Sequence, residues 1–374
     1  MTSRIDRGAA PARANPQLSI VVPAHQASAT LGRVLAALEA SDLPRHEWEL
    51  IVVDDASSDD TALIAARHAE AVIRLPDSPR GPAYARNRGV ELARAPLVLF
   101  LDADVLLRPD TLRRMLAAFE RDANLGLLSA VLDPAHSAPG MISRYRNLRR
   151  HAEQLRVLQA TEALWGGCCM VRRELLATAG HFDEWHFAGP QHEVRELGRR
   201  FVQTGARIAV DPEITAVHLK QFTLRSLLMG ELWRRRVTHV RLAPQTQRLH
   251  LREALLLVAF VLVAAAAVTA RHGWALAGAG ALAGALVLDG PLLYSMLRRG
   301  GVLFTIASLP LHALTLLVQG MAHIGGALLR HAVGAPRPDP THEAYSEIGL
   351  RGWPPPPYRP RPEPRPTVAA GDPQ

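Results

Sequence analysis

The chain has 374 residues, of which 48% are hydrophobic and 21% are charged, and its formal net charge is +8. This composition excludes a disordered chain and a small domain held together by disulfides. Lys220 is the only lysine among the cations, and the two cysteines, Cys168 and Cys169, are adjacent, a spacing unsuited to an ordinary structural disulfide. We therefore expect the soluble part of the protein to face the reducing cytoplasm.

An α/β domain is predicted for residues 17–222. Residues 1–16 carry no apolar period and are predicted to be a disordered tail. From Leu18 on, apolar β-branched runs alternate with segments of helical period. The runs that predict strands are 19–22, 50–53, 72–75 and 97–101, and the segments that predict helices are 31–38, 61–71, 82–93 and 112–119. This alternation indicates a doubly wound, mostly parallel sheet, in which ligands bind beyond the carboxyl ends of the strands.

Three apolar stretches follow, at residues 254–270, 274–296 and 302–329. They predict three transmembrane helices within residues 253–330, because they lack the polar face that the helices of a soluble bundle show. Arginines precede the first stretch, and Arg298 and Arg299 lie between the second and third. Positively charged loops stay inside, so we expect a multi-pass protein of the cytoplasmic membrane with its α/β domain inside and its C-terminus outside.

The segments around these stretches are basic or rich in proline. Residues 223–252 are predicted to form an interfacial basic helix, while residues 141–158 fit either an ordinary surface helix or a membrane-facing one. Nucleic acid is disfavoured as a partner because no binding module accompanies the arginines. Asp289 interrupts the second apolar stretch, either as a functional carboxylate or at a simple kink. Residues 331–374 are predicted to be a proline-rich disordered tail.

Acidic residues follow the predicted strands at the edge where ligands bind. Asp102 and Asp104 point to one side of an extended segment, where two carboxylates suit Mg²⁺ or Mn²⁺ and a diphosphate. Alone, this pattern also fits a solvated turn that caps a helix. Residues 81–89 add a helix start whose free amides and Arg86 are suited to bind phosphate.

The sequence resembles family 2 glycosyltransferases, which are inverting enzymes of the GT-A fold. The similar segments run in the family's order over residues 18–220: SIVVPA (19–24), IVVDDASSD (51–59), ARNRG (85–89), FLDAD (100–104), GGCCMVRR (166–173), GHFDE (180–184) and VH (217–218). The resemblance implies metal-dependent transfer of a sugar from a nucleotide-diphosphate-sugar, with a UDP-sugar as the expected donor.

The resemblance also implies roles for individual residues. Asp55 would contact the nucleotide base, Asp102 and Asp104 would handle ribose, metal and diphosphate, and His218 would reach the metal side. The residues expected to bind the nucleotide-sugar are Pro23, Ala24, Asp55, Arg86, Asp102 and Ala103, and those expected to bind the metal are Asp104 and His218. A hydrogen-bonded histidine that closes a strand remains an equal alternative for His218.

The family's usual Glu-Asp pair, whose Asp is the common catalytic base, falls here on Glu193 and Val194. Valine cannot accept a proton. We expect Glu193, or else Glu196, to act as the base; the alternatives are a phosphate acceptor that is already ionised and loss of activity. Two further features stay open: Gly166 and Gly167 allow either close approach of a substrate or a tight turn, and the two cysteines are expected to be small buried side chains.

The sequence therefore favours a membrane-anchored, inverting hexosyltransferase of cell-envelope biogenesis that acts on a lipid-linked or envelope acceptor. Single-sugar transfer is expected because the chain lacks the Gln-x-x-Arg-Trp segment of processive synthases. The alternatives are transfer to a polyprenyl phosphate and a catalytically inactive scaffold that binds nucleotide-sugars. A nucleotidyltransferase is less favoured, because residues 23–25 replace the glycine-rich loop that it would need.

Overall fold

The computed structural model describes residues 4–7, 15–76, 78–136, 138–156, 158, 164–184, 193–241, 251–269 and 272–333. The strands in these ranges are β1 (Arg4–Arg7), β2 (Leu18–Ala24), β3 (Trp48–Asp54), β4 (Ala71–Arg74), β5 (Leu97–Leu101), β6 (Val105–Leu107), β7 (Leu125–Leu132), β8 (Cys168–Arg172) and β9 (Arg207–His218). They form one sheet in the order β1-β4-β3-β2-β5-β8-β7-β9-β6.

The sheet is mixed rather than mostly parallel, which corrects the prediction. Strands β4, β3, β2 and β5 are parallel neighbours, as the alternation with helices implied. Strand β8 runs antiparallel to both β5 and β7, β9 runs parallel to β7, and β6 runs antiparallel to β9. Consecutive parallel neighbours, β2 with β3 and β3 with β4, are joined by helices α1 and α2, the kind of connection that parallel strands require.

The helices in the described ranges are α1 (Leu31–Glu39), α2 (Thr61–Ala66), α3 (Pro82–Leu92), α4 (Thr111–Arg121), α5 (Met141–Leu155), α6 (Arg173–Ala179), α7 (Glu193–Gln203), α8 (Leu224–Arg241), α9 (Leu251–Thr269), α10 (His272–Leu288) and α11 (Gly290–Val333). Helices that precede α8 cover both faces of the sheet. Apolar residues of α1 and α4 pack in the core on one face, and those of α3 and α7 pack on the other. Both sides of the central strands are therefore buried, as expected for their continuous apolar sequences.

Two local predictions at the outer strands are wrong. Residues 4–7, expected to be disordered, form edge strand β1, which pairs with β4 in antiparallel register. Helix α2 ends at Ala66 rather than near residue 71. Beyond the helix, the Glu70 carboxylate accepts the N–H of Leu50 at 2.8 Å and a hydrogen bond from Arg45 at 2.9 Å, which ties this turn to β3.

The C-terminal helices are apolar. Among the described residues, 290–329 form one helix that is long and apolar enough to span a membrane, and two shorter apolar helices cover residues 253–269 and 272–288. The second stretch does not continue to residue 296, because α10 ends at Leu288 and α11 has a kink at Gly301, whose φ is +81°. The predictions for residues 1–3, 8–14, 242–250 and 334–374 concern residues outside the described ranges.

Candidate active site

The carboxyl ends of β2, β3 and β5 meet at one rim, as predicted. Ala24 pairs with Asp54 in the β2–β3 register, and the N–H of Asp55 donates to the Ala24 carbonyl at 2.8 Å. The two loops that follow carry left-handed backbone at Gln26 (φ 49°) and Ala56 (φ 54°). Such conformations cost of order 1–3 kcal/mol each and cluster at functional sites, which is consistent with a site at this rim.

Asp55 is buried and anchors the loop in front of α3. Its two carboxylate oxygens accept the backbone N–H groups of Arg80 and Gly81, each at 2.7 Å. Burial raises the pKa of Asp55, and the two amide hydrogen bonds oppose that effect only in part. The pair Pro23 and Ala24 lies beside it, the first half-buried and the second buried. Contact of Asp55 with a nucleotide base stays a prediction.

Asp102 and Asp104 lie at the centre of the rim, and their side chains are 32% and 29% exposed. Ala103 between them is buried. The pKa of Asp102 is raised by burial, although Arg86 opposes the shift. Burial acts in the same direction on Asp104, but the hydrogen bond and charge of His218, together with the charges of Lys220 and Arg146, outweigh it and lower the pKa of Asp104. Asp104 is therefore the carboxylate that most firmly keeps its negative charge.

His218 reaches Asp104 because β6 and β9 pair with Val105 opposite His218. Its Nε2 lies 3.4 Å from Asp104 Oδ2, and its Nδ1 lies 3.4 Å from Arg146 Nη1. Arg146 can only donate, so in the neutral ring the imidazole hydrogen is on Nε2 and faces Asp104. This geometry is consistent with the hydrogen-bonded alternative for His218, and contact with a metal stays a prediction.

Arg86 pairs with protein groups beneath the rim, and the phosphate contact expected of it stays a prediction. The residue is 1% exposed, and its guanidinium binds Asp102 Oδ1 at 2.8 Å, Glu193 Oε1 at 2.7 Å and the Gly166 carbonyl at 3.1 Å. The positive charge of Arg86 is neutralised inside the protein by Asp102 and Glu193. Arg86 orients the Asp102 carboxylate from below the rim.

Glu193 is likewise not open to the cleft. It is 4% exposed and held in the ion pair with Arg86, while Val194 lies in the apolar core beside Leu197. The second candidate base, Glu196, is also buried, in a bidentate pair with Arg200. The described geometry therefore offers neither carboxylate as a solvent-facing base.

Gly166 and Gly167 form a tight turn rather than a substrate platform. A Cβ on Gly166 would lie 2.9 Å from Val194 Cγ2 and 3.3 Å from Glu193 Oε1. The Gly167 carbonyl accepts the N–H of Asp102 at 3.0 Å. The glycines are needed because protein side chains fill the space above the turn. Both cysteines behind it are buried, as predicted, and burial raises the pKa of Cys169 to about 12.

Sequence reasoning missed three residues beside Asp104. Arg146 stacks on the Phe222 ring at 4.4 Å, and Lys220 lies 5.9 Å from the same ring. Both positive charges lower the pKa of Asp104, although less than His218 does. The only sequence signals were the basic stretch that contains Arg146 and the rarity of lysine, and neither places these residues at the rim. They give the metal side of the site a positive flank.

The donor set fits a hard divalent cation. In the ranges that the structure covers, no group of three or more His, Cys, Asp or Glu side chains could hold a metal ion. Mg²⁺ and Mn²⁺ are suited to sites with one or two carboxylates, completed by water and substrate phosphates. The partly exposed pair Asp102 and Asp104 satisfies that requirement.

The mixed sheet with its acidic rim supports the GT-A type of fold, and comparisons with known proteins extend this. Residues 19–180 match the glycosyl transferase family 2 model. The mannosyltransferase PcManGT from Pyrobaculum calidifontis, in complex with GDP-Man and Mn²⁺, shares the fold with a TM-score of 0.52 and 21% identity, over 85% of this chain and 88% of that chain.

Two curated relatives are similar over shorter segments. Succinoglycan biosynthesis protein ExoO of Rhizobium meliloti (strain 1021) is 37% identical over 103 residues, or 27% of this chain and 29% of that protein. Validoxylamine A glucosyltransferase of Streptomyces hygroscopicus subsp. jinggangensis (strain 5008) is 35% identical over 107 residues, or 28% of this chain and 25% of that protein. The alignments thus span less than a third of either relative. Together with the model match, they support a relationship to the family 2 glycosyltransferases over the first half of the chain.

Proposed function

We propose that the protein transfers one sugar, with inversion, from a nucleotide-diphosphate-sugar to a lipid-borne acceptor at the cytoplasmic face of the membrane, using Mg²⁺ or Mn²⁺. The observation that carries this proposal is the partly exposed pair Asp102 and Asp104 at the carboxyl ends of the strands. The family match and the GT-A type of fold support the reaction class.

On the donor side, the chain's residues hold and orient charge. Asp102 and Asp104 would bind the cation, which when present stabilises the charge that develops on the departing diphosphate. Arg86 fixes the orientation of Asp102, and His218 donates to Asp104 and keeps that carboxylate ionised. We therefore give His218 a positioning role in place of a ligand role.

On the acceptor side, the proposal is a lipid phosphate, with a polyprenyl phosphate as the simplest case. Glu193 is bound to Arg86 and Val194 cannot take a proton, so neither position of the expected Glu-Asp pair offers an acceptor hydroxyl an open base. A phosphate monoester is already ionised near pH 7, and its oxygen can attack the anomeric carbon as the bond to the diphosphate breaks, without losing a proton. Arg146 and Lys220 provide the positive flank for such an anion.

Membrane attachment is part of the proposal. Residues 290–329 are long and apolar enough to span, and α9 to α11 expose large apolar side chains such as Phe260 (60%), Leu276 (75%) and Leu303 (85%). A soluble protein would not leave such surfaces in water. Helix α8 adds exposed Leu224 and Met229 near the same region, which suits a helix lying in the membrane interface.

Nucleotide binding to the full-length protein in detergent tests the donor site. We expect UDP or GDP to bind with Mn²⁺, to lose most of its affinity with a chelator, and to lose it equally in Asp104→Asn. The matched control is Asp110→Asn, which removes a half-exposed carboxylate that directly precedes α4 and pairs with Arg114. Undiminished binding in chelator, or by Asp104→Asn, would contradict the metal role. An inactive scaffold would instead bind nucleotide-sugar and never turn it over.

A further inference from the structure

Helix α5 connects the active site to the apolar C-terminal helices. On one side it is tied to the sheet: Asn147 donates to the Asp133 carbonyl, and the Gln154 side chain accepts the N–H of Leu132 at 3.0 Å. Gln154 also donates to the Ala130 carbonyl at 3.2 Å. These bonds fix α5 against the end of β7.

The same helix reaches the rim through Arg146. Its guanidinium lies against Phe222 and His218, and His218 in turn contacts Asp104. Ser143, one turn earlier, accepts the N–H of Phe222 at 2.9 Å. A displacement of α5 therefore moves the group that sets the tautomer and position of His218.

The opposite side of α5 is bound to the apolar helices through Asp289. Arg156 donates to Asp289 Oδ1 at 2.9 Å, and His312 Nε2 lies 3.0 Å from Asp289 Oδ2. The other ring nitrogen of His312 lies 3.0 Å from the Tyr145 hydroxyl. The side chains of Asp289 and His312 are each 1% exposed. The aspartate that the sequence left as either functional or a kink is thus fully engaged.

A second contact lies beside the first. Arg149 of α5 pairs with Glu231 of α8, and Glu231 also accepts from Gln319 of α11 at 2.7 Å. A cavity of about 10 Å³ between the two contacts is lined by Arg149, Asp289 and His312. That is room for about one water molecule, too little for an organic ligand. The cluster is therefore a connection between elements, not a binding pocket.

The polar contacts of Asp289 are surrounded by apolar packing between α5 and α11. Leu292, Met296 and Leu311 of α11 pack on Tyr145 and Leu148 of α5 in one apolar cluster. Apolar packing alone would allow the two helices to shift along each other. By contrast, separating a buried carboxylate from its ion-pair partners strongly destabilises the protein. The carboxylate of Asp289, held by donors from two elements, sets one register of α5 on α11.

We propose that Asp289 and His312 are positioning residues for the active site, acting through helix α5 and Arg146 on His218 and Asp104. The C-terminal helices then do more than hold the protein at the membrane, because they set the geometry of the metal side of the site. The measurement of UDP affinity described below rests on the proposed function, whereas the measurement of hydrogen exchange does not.

The test uses full-length protein in detergent with Asp289→Asn and the milder Arg156→Gln, which removes one partner of Asp289. The control is Arg150→Gln on the same helix, since Arg150 pairs with Glu153 within α5. Hydrogen exchange should become about fivefold faster or more in residues 141–155 and 216–222 of both variants, and affinity for UDP with Mn²⁺ should fall about fivefold or more. The control should change neither quantity.

A double-mutant cycle separates positioning from loss of stability. If Asp289 acts through Arg146, Asp289→Asn should weaken binding far less in an Arg146→Gln background than in wild type. Additive effects would overturn the proposal, as would faster exchange with UDP affinity unchanged within twofold, or exchange changes confined to α10 and α11. Failure of the wild-type protein to bind either UDP or GDP with Mn²⁺ would instead refute the proposed function, and the exchange of α5 alone would then decide whether Asp289 fixes this helix.

Discussion

The buried pair of Arg86 and Glu193 sets the expectations for acceptor chemistry. We predict that Glu193→Gln changes the transfer rate to a phosphate acceptor by less than about tenfold, because the roughly 10²–10⁴-fold aid of a general base is not used. The unfolding temperature should fall, since breaking a buried pair costs up to about 3–5 kcal/mol. The rate per folded molecule and thermal unfolding measure the two effects. A 10²-fold or greater loss of rate with normal donor binding would restore Glu193 as the base.

His181 gives the fold a predictable response to acid. Burial, assisted by the charges of Arg88 and Arg200, lowers its pKa from 6.5 to about 3. Between these values the unfolded chain binds a proton that the folded chain does not, so the contribution of His181 is complete above about pH 6.5 and falls as the pH drops. At pH 5 the loss amounts to about 2 kcal/mol.

The replacement His181→Asn should therefore flatten the dependence of stability on pH between 7 and 5. Denaturant unfolding of the full-length protein at a series of pH values measures it. The control His46→Asn, at an exposed position, should keep the wild-type slope. An unchanged slope in His181→Asn would contradict a buried, neutral imidazole.

The individual carboxylates of the site could be predicted from sequence, but their partners could not. Asp102 and Asp104 follow a strand, and period-two geometry is enough to place them together at the rim. The bond from Arg86 to Glu193 joins residues 107 positions apart, and no local pattern encodes it. The sequence identified Arg86 as a cation near a helix start, and only the packing of α7 shows which anion neutralises it.

At the scale of elements, the kink in α11 depends on one glycine. Gly301 has φ +81° and ψ 173°, a region that is essentially restricted to glycine. We predict that Gly301→Ala destabilises the protein by about 1–3 kcal/mol, because the alanine must either strain or straighten the helix. Straightening would pull residues 290–300 away from α5.

The matched control is Gly325→Ala in the same helix. A Cβ there meets no atom within 4 Å and the backbone φ is not positive, so the change should be neutral or stabilising by up to about 1 kcal/mol. Thermal unfolding in detergent compares the two variants. Equal effects would show that the kink does not require Gly301.

The predicted strands and helices agree with the structure where the apolar periodicity of the sequence is strong. They disagree with it at the edge of the sheet. Strand β5 covers the predicted residues 97–101, and the apolar face of α4 is buried as its spacing implied. Strand β1 was missed because an edge strand of four residues with three charges carries no apolar period. The antiparallel direction of β8 could not be predicted either, because strand direction follows from tertiary packing rather than from local sequence.

For the whole molecule, the proposed topology puts the catalytic domain inside and the C-terminus outside. Because both native cysteines are buried, a single cysteine introduced at position 370 should be the residue that an impermeant thiol reagent labels in intact cells. A cysteine at the exposed position of Glu120 in α4 serves as the control and should be labelled only after permeabilisation. Protection of position 370 in intact cells would contradict three spans.

The account's central claim is the transfer of sugar from a nucleotide-sugar to a lipid phosphate. The most direct measurement incubates the full-length protein in detergent with Mn²⁺, a panel of labelled UDP- and GDP-sugars, and a polyprenyl phosphate, and follows both nucleoside diphosphate and labelled lipid. We predict that one donor yields equal amounts of the two products, only with metal and only when the lipid phosphate is present. Folded protein that forms no labelled lipid from any donor, or that forms it fully in excess chelator, would contradict the account.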